Sequence, residues 1–401
     1  MISVMSHGPV SYVPLTGATW ADPWPMYAAL RERDPVHHVT KGDYWVLTRY
    51  DDVHTAVRDH ETFSSTGGLT TASDELERIG LADNPPMVMT DPPSHTAFRK
   101  LVNRGFTPKQ VEDITPRVTR FVVERVEQIR AAGGGDIVQI LFKPLPSMVV
   151  AHYLGVPEED WGRFDGWTDA IVTANAAQDE SIGAGAGAGA AAELMGYFAE
   201  LIERRRREPG DDTVSHLVAA GEADDDAGLL RVLAFAFTMV AGGNDTTTGL
   251  LGGGLPLLAD RPDQRELALQ DVPAAVEELL RLTSPVQGLA RTTTRDVTIH
   301  DVTIPAGKKV LLCYAAANRD PRVFGPDAEE LDVTRNPRQI LTFAHGAHHC
   351  LGAAAARMMG RVALTEILTR IPSFTVDHDS VEWAPGSYVR RPVRLRVEVA
   401  R

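Results

Sequence analysis

"FAHGAHHCLG", residues 343 to 352, sets three histidines and one of the chain's two cysteines between glycines. Structural zinc is the first chemistry such a run suggests, since His345, His348, His349 and Cys350 are all competent ligands. Structural zinc sites, however, take paired ligands with spacers from two separated clusters. Adjacent His349 and Cys350 point in different directions, and no second cluster stands elsewhere in the chain. Zinc is therefore set aside.

A single axial thiolate on a haem iron asks for less: one cysteine as ligand, with the opposite face left open to O2. Gly346 and Gly352 supply tight turns around the sulfur, and Phe343 packs beside it as a shield. The run "LGAAAARMMGRVALTEILTR" that follows Cys350 reads as a strong helix. The sulfur then sits at a helix N-terminus, where the dipole favours the thiolate. His348 is placed to donate to a haem propionate, and His345 and His349 receive no task.

Further out, "LLRVLAFAFTMVAGGNDTTTGLL" (229–251) is apolar on every side from Leu229 to Val240, apart from Arg231 and Thr238. Such a helix is buried in a large core. Gly242, Gly243, Asn244, Asp245 and three threonines follow. Each mid-helix glycine costs about 0.8–1 kcal/mol relative to alanine, and Asp and Thr compete for backbone hydrogen bonds. The pattern predicts a local opening of the helix. Bare backbone there admits a flat ligand or a diatomic, freed carbonyls beside Thr246 hold water, and Asp245 passes protons inward. The alternative leaves Thr246 bonded back to the carbonyl of Gly242, merely bending the helix.

The rest of the chain sets limits. It has 401 residues, 43% hydrophobic and 23% charged, with a net charge of -14. That balance argues against general nucleic-acid binding. Two cysteines make no disulfide framework. The first residues lack the pattern of a signal peptide, and no apolar run of membrane-spanning length is expected. These features predict a cytoplasmic protein. Apolar residues at 3–4 spacing predict helices within 22–34, 118–135, 193–210 and 274–282. "YWVLTRY" (44–50) has strand composition, and "RDVTIHDVTIPAGKKVLL" (295–312) alternates, turns and alternates again, predicting a hairpin and a further strand. "GAGAGAGAAAEL" (183–194) reads as a flexible hinge leading into a helix, with a tolerated surface loop as the alternative. The class is mainly α with a small β portion, in one domain over 1–401, its β part coming mostly from the N-terminal region and 295–312.

Several of these segments together resemble the cytochromes P-450, and in particular the mycobacterial cytochrome P-450 family 130. "FAHGAHHCLG" is similar to that family's haem-binding loop, with Phe343, Gly346, His348 and Cys350 at the matching positions. "AGGNDTT" (241–247) resembles its oxygen-activation segment on the long central helix. "EELLR" holds Glu278 and Arg281 as E-x-x-R, a spacing also found at Glu127/Arg130 and Glu203/Arg206; Arg335 in "LDVTR" resembles the third member of that charge network. "HTAFRKLV" places His95 and Arg99, and "LARTTTRDV" places Arg291, where the family binds haem propionates. The hairpin turn departs from relatives, which carry glycine where this chain has His300-Asp301.

The resemblance implies the cytochrome P-450 fold, with haem b (iron protoporphyrin IX) between the central helix and the Cys350 loop and O2 as co-substrate. It implies monooxygenation of a small apolar substrate by hydroxylation or N/O-dealkylation, with Thr246 and Asp245 organising proton delivery. It implies electrons from a ferredoxin and its NAD(P)H-dependent reductase, docking near Cys350 at a patch of Arg99, Lys100, Arg104, Lys109, Arg357 and Arg361. A peroxide-driven haem enzyme and a haem sensor without turnover remain as alternatives. "PMVMT" (86–90), "PVQGLAR" (285–291) and "GSYVRRP" (386–392) align with the family's pocket segments.

Overall fold

The computed structural model describes residues 10–78, 81–164, 166–167, 170, 184–386 and 388–400. Gly183, at the start of the expected hinge, and Ser387, in the last pocket segment, lie outside that set.

Four expected helices form, at Trp24–Arg33, Pro108–Ala132, Ala184–Arg207 and Val272–Thr283. Their ends follow local chemistry. Thr107 accepts from the backbone N–H of Gln110 to open the second, and Gly133, at φ 73°, closes it in the left-handed region. Residues 184–194 lie inside the third helix rather than in a hinge before it. Alanine at many of these positions outweighs the cost of the interspersed glycines.

The central helix runs unbroken from Asp226 to Ala259, with Asp225 accepting from the Gly228 N–H at its start. The expected opening at 242–248 is not a break in the helix. By length and a mean hydropathy of 1.4 this helix is apolar enough to cross a membrane, contrary to the sequence expectation. It runs instead between helices of the protein, packing against Pro144–Leu154, Val272–Thr283, Ala184–Arg207 and Ala353–Arg370. Gly243 fits one of these contacts: a Cβ there would stand 2.7 Å from a methyl of Val150.

The main sheet is ordered Val36–Val39, Tyr44–Leu47, Lys309–Leu312, Leu289–Thr293, Phe63–Ser64. Strand 44–47 lies parallel to 309–312, with Tyr44 opposite Lys309. The expected hairpin pairs Val297–Ile299 with Val302–Ile304, and His300 and Asp301 at its turn take φ 48° and 65°. Such turns need left-handed backbone, which Asp and His tolerate better than bulkier residues. A second sheet joins Gly134–Asp136, Pro392–Val399 and Phe374–Trp383. Its two long C-terminal strands were not anticipated.

Candidate functional site

The loop before Cys350 is shaped by two residues in left-handed backbone, Ala344 at φ 51° and Gly346 at φ 73°. A Cβ on Gly346 would come within 3.1 Å of the Val57 carbonyl oxygen, so the loop presses directly on that segment. Gly352 takes an ordinary φ of −85° and serves as N-cap of the helix Ala353–Arg370. Its expected role as a tight turn passes to Ala344, which carried no signal in the sequence. The Cys350 N–H donates to the Phe343 carbonyl at 2.9 Å, and the His349 N–H to Gly346 at 3.2 Å. Phe343 is buried, with the Arg357 guanidinium 4.5 Å from its ring centre.

Cys350 combines two properties that conflict at a protein surface. Its side chain is accessible, while burial pushes its thiol pKa up. A group that is open to a probe yet surrounded by protein faces an internal void. The Gly352 N–H, Arg99 and Arg357 act the other way and favour the thiolate. The second cysteine, Cys313, is closed in the core, its thiol pushed up to about 12 by burial.

Beside this void stand His95, Arg99, Arg291 and His348. The rings of His95 and His348 are 4.2 Å apart. His95 is only 2% exposed, and among the described residues neither of its ring nitrogens has a hydrogen-bond partner. Burial, then Arg99, lowers its pKa. His348 is pushed down to about 3 by burial, then by Arg291, His95 and Arg99. The Ser65 hydroxyl lies 3.2 Å from its Nε2, a contact sequence reasoning missed. Arg291 is buried, and its Nη1 donates to the Ala290 carbonyl at 2.8 Å. Arg99 donates to the His349 carbonyl at 2.8 Å. Asp91, which favours protonated His95, is engaged by the Ser64 hydroxyl at 2.6 Å and the Ser65 N–H at 3.0 Å. A cluster of cations and donors that depress one another, with an orphaned buried imidazole, is built for an anion. The two propionates of a haem fit this set, and an accessible thiol in an enclosed setting fits its iron.

The central helix contributes the next feature. Along its apolar body the side chains of Val232 to Ala236 and of Val240 are buried, whereas Gly242 is exposed and a Cβ there would meet nothing within 4 Å. Bare helix backbone therefore faces open space. The Thr246 hydroxyl donates to the Gly242 carbonyl at 3.1 Å, the back-bonded arrangement weighed from the sequence. Asp245 is ion-paired with Arg391 at 2.7 Å, both largely buried. Nothing in the spacing distinguished Arg391 from its neighbour Arg390, whose Nε instead donates to the Trp20 carbonyl at 2.7 Å.

Glu278 and Arg281 are both 0% exposed and meet through two bonds of 2.7 and 2.8 Å. Arg281 also donates to the carbonyls of Asn318 and Ala328, and Arg335 reaches Glu278 at 3.3 Å and Asp327 at 3.0 Å. This network braces the chain between Asn318 and Arg335, ahead of the cysteine loop. Glu127/Arg130 and Glu203/Arg206, with the same spacing, are surface pairs. In the expected docking patch, Lys100, Arg104, Lys109 and Arg361 are exposed, while Arg357 is held by Glu277 at 2.5 and 2.9 Å.

The comparisons agree with this geometry. Residues 186–388 match the family model described as Cytochrome P-450. The chain is 65% identical over its full length, and the relative's, to cytochrome P-450 130 of Mycobacterium tuberculosis. It is 37% identical, over 95% of each chain, to a vitamin D(3) 25-hydroxylase of Pseudonocardia autotrophica. A cytochrome P-450 of Bacillus megaterium solved in complex with testosterone superimposes with a TM-score of 0.83 at 30% identity, over 95% of this chain and 100% of that one. The chain belongs to the cytochrome P-450 family, and is a haem b monooxygenase with O2 as co-substrate.

Proposed function

We propose that this enzyme, working as one domain over residues 1–401, inserts one oxygen atom from O2 into a bulky, largely apolar small molecule by hydroxylation or N/O-dealkylation. Its electrons come from a ferredoxin and an NAD(P)H-dependent ferredoxin reductase. The observation that carries the reading is the accessible Cys350 in an enclosed setting, beside a cluster of cations and donors around the buried His95 imidazole. The vitamin D(3) hydroxylase and the testosterone-bound neighbour support a substrate of this size and polarity.

When bound, the haem supplies the redox chemistry of O2 reduction and C–H oxidation; the chain positions and protects it. Cys350 would ligate its iron through Sγ. His95, Arg99, Arg291 and His348 would hold its carboxylates, while Phe343 and Gly346 shape the loop around the sulfur. Glu278, Arg281 and Arg335 brace the preceding segment. Thr246 Oγ1 and the Asp245 carboxylate handle protons, and Arg391 holds Asp245 in reach of that task. The exposed Lys100, Arg104, Lys109 and Arg361 offer positive charge to an acidic ferredoxin. Two free cysteines are in keeping with a reducing cytoplasm.

The test is reconstitution with NADH, ferredoxin and reductase, scoring oxidised product by mass. Product that requires all three supports the reading. Product with hydrogen peroxide alone, and none with the electron chain, replaces it with a peroxide-driven enzyme. No product by either route, with haem bound, replaces it with a sensor.

A further inference from the structure

The helix Val272–Thr283 carries two consecutive glutamates with different partners. Glu278 is buried with Arg281 and Arg335. Glu277 reaches across to the helix Ala353–Arg370, where both of its oxygens accept from Arg357: Oε1 from Nε at 2.5 Å, Oε2 from Nη2 at 2.9 Å. Two parallel bonds fix the plane of a guanidinium as well as its position. The pair lines a cavity of about 200 Å³ together with Asn336 and the exposed Arg361. Arg357 is 30% and Glu277 20% exposed, so water screens the pair only in part.

The same guanidinium lies 4.5 Å from the centre of the buried Phe343 ring, within reach of a cation–π contact. The Phe343 carbonyl accepts the Cys350 N–H at 2.9 Å, and its ring stands 6.4 Å from that of His349. One side chain thus links a neighbouring helix to the residue that anchors the cysteine loop. Burial raises the Cys350 thiol, and the Gly352 N–H, Arg99 and then Arg357 act against it. Arg99 is bonded to Asn103 and to the His349 carbonyl, whereas Arg357 is held by an acid. A simple tie between two helices needs neither the aromatic ring nor nearness to the sulfur.

We propose that Arg357, clamped by Glu277, is a positioning residue for the Cys350 thiolate: it seats Phe343 in the loop and holds a positive charge near the sulfur, and so sets how readily the haem accepts an electron. Glu277 moderates that charge. The inference rests on Cys350 as the haem ligand, and it moves Arg357 from the ferredoxin patch to the haem's own setting.

The test is a redox titration of the haem-loaded enzyme without ferredoxin, reading the ferric-to-ferrous ratio from the haem absorbance at a fixed dye potential. Reduction adds one negative charge to the centre, so a nearby cation favours the reduced form. Arg357→Met removes the charge and should move the ratio toward ferric by about 3- to 10-fold, roughly 30–60 mV at 59 mV per tenfold. Glu277→Gln removes the opposing charge and should move the ratio toward ferrous. Arg361→Met removes an exposed charge one turn along the same helix and should move it by less than about twofold. A merely structural tie predicts a lowered Tm in Arg357→Met and Glu277→Gln, with a ratio that stays put or moves the same way in both. Either outcome overturns the proposal, and so does an Arg361→Met shift as large as that of Arg357→Met. Should Arg357→Met fail to hold haem, Glu277→Gln decides, and no shift toward ferrous overturns the proposal. The reduced-CO spectrum of the parent enzyme separates the two failures. Absence of the strongly red-shifted band removes Cys350 as ligand and this inference with it, while an intact band beside an unmoved ratio removes Arg357 alone.

Discussion

Glu278→Ala is the sharpest test of the buried charge network. Glu278 Oε1 accepts from Arg281 Nη2 at 2.7 Å, the Asp332 N–H at 3.2 Å and Arg335 Nε at 3.3 Å, while Oε2 accepts from Arg281 Nε at 2.8 Å. Removing the carboxylate leaves Arg281, fully buried, with carbonyl partners but no counter-charge. Breaking a buried pair from one side costs about 3–5 kcal/mol. For 401 residues, at about 2.1 cal/mol/K of unfolding entropy per residue, that is a fall in Tm of roughly 4–6 °C. Scanning calorimetry of the haem-loaded protein reads the shift, and the haem-to-protein ratio after purification reports whether the brace before the cysteine loop has failed. Glu203→Ala, which breaks a surface pair of identical spacing, is the control and should leave Tm unmoved. If the two variants behave alike, the network carries no special weight and the spacing is coincidental.

Cys350→Ala should abolish the strongly red-shifted band of the reduced CO complex, whereas Cys313→Ser, in a closed core position, should leave it intact. Thr246→Ala should lower product per NADH with hydrogen peroxide released in its place, and Asp245→Asn should slow O2 consumption itself, by about 100-fold or more if its proton transfer is rate-limiting; unchanged coupling and unchanged rate would leave Thr246 only its bond to Gly242. His152 has a folded pKa below its ordinary 6.5, through burial and then Arg117. It must be neutral in the fold, so its stabilising share is full above 6.5 and is lost as pH falls from there through the lowered folded value. His152→Gln should therefore flatten the fall of Tm with pH in that window.

Helical periodicity made most of the helices legible, since an amphipathic face repeats whatever it packs against. The C-terminal sheet escaped because Phe374–Trp383 carries Asp377, His378, Asp379 and Glu382 in close succession, and few of its residues are buried. A strand with polar groups on both faces leaves no period-two signal. The glycine and threonine run at 242–248 was expected to open the helix, yet packing against neighbours holds it helical, as at Gly243 against Val150. What the run does alter is the surface the helix presents at Gly242. In the cysteine loop the turn at Gly346 was legible, but Gly352 takes ordinary backbone and Ala344 turns in its place. Ala344 carried no signal, since a left-handed alanine is imposed by its surroundings and not by its own preference. Burial, and the added bonds from Arg335 and the Asp332 N–H, separate Glu278 from Glu127 and Glu203, and burial is a property of the folded chain.

The segment bearing Tyr388 is secured by residues near the other end of the polypeptide: Thr16 accepts from the Gly386 N–H, and the carbonyls of Trp20 and Ala21 accept from Arg390. Trp24 lies within 5.1 Å of the same guanidinium. During synthesis these partners leave the ribosome more than three hundred residues apart, so this junction of the two ends is among the last parts of the fold to close. A deletion near residue 20 then removes the acceptors of Arg390, next in the chain to the partner of Asp245. The stability of the C-terminal strands is where such an edit should first be felt.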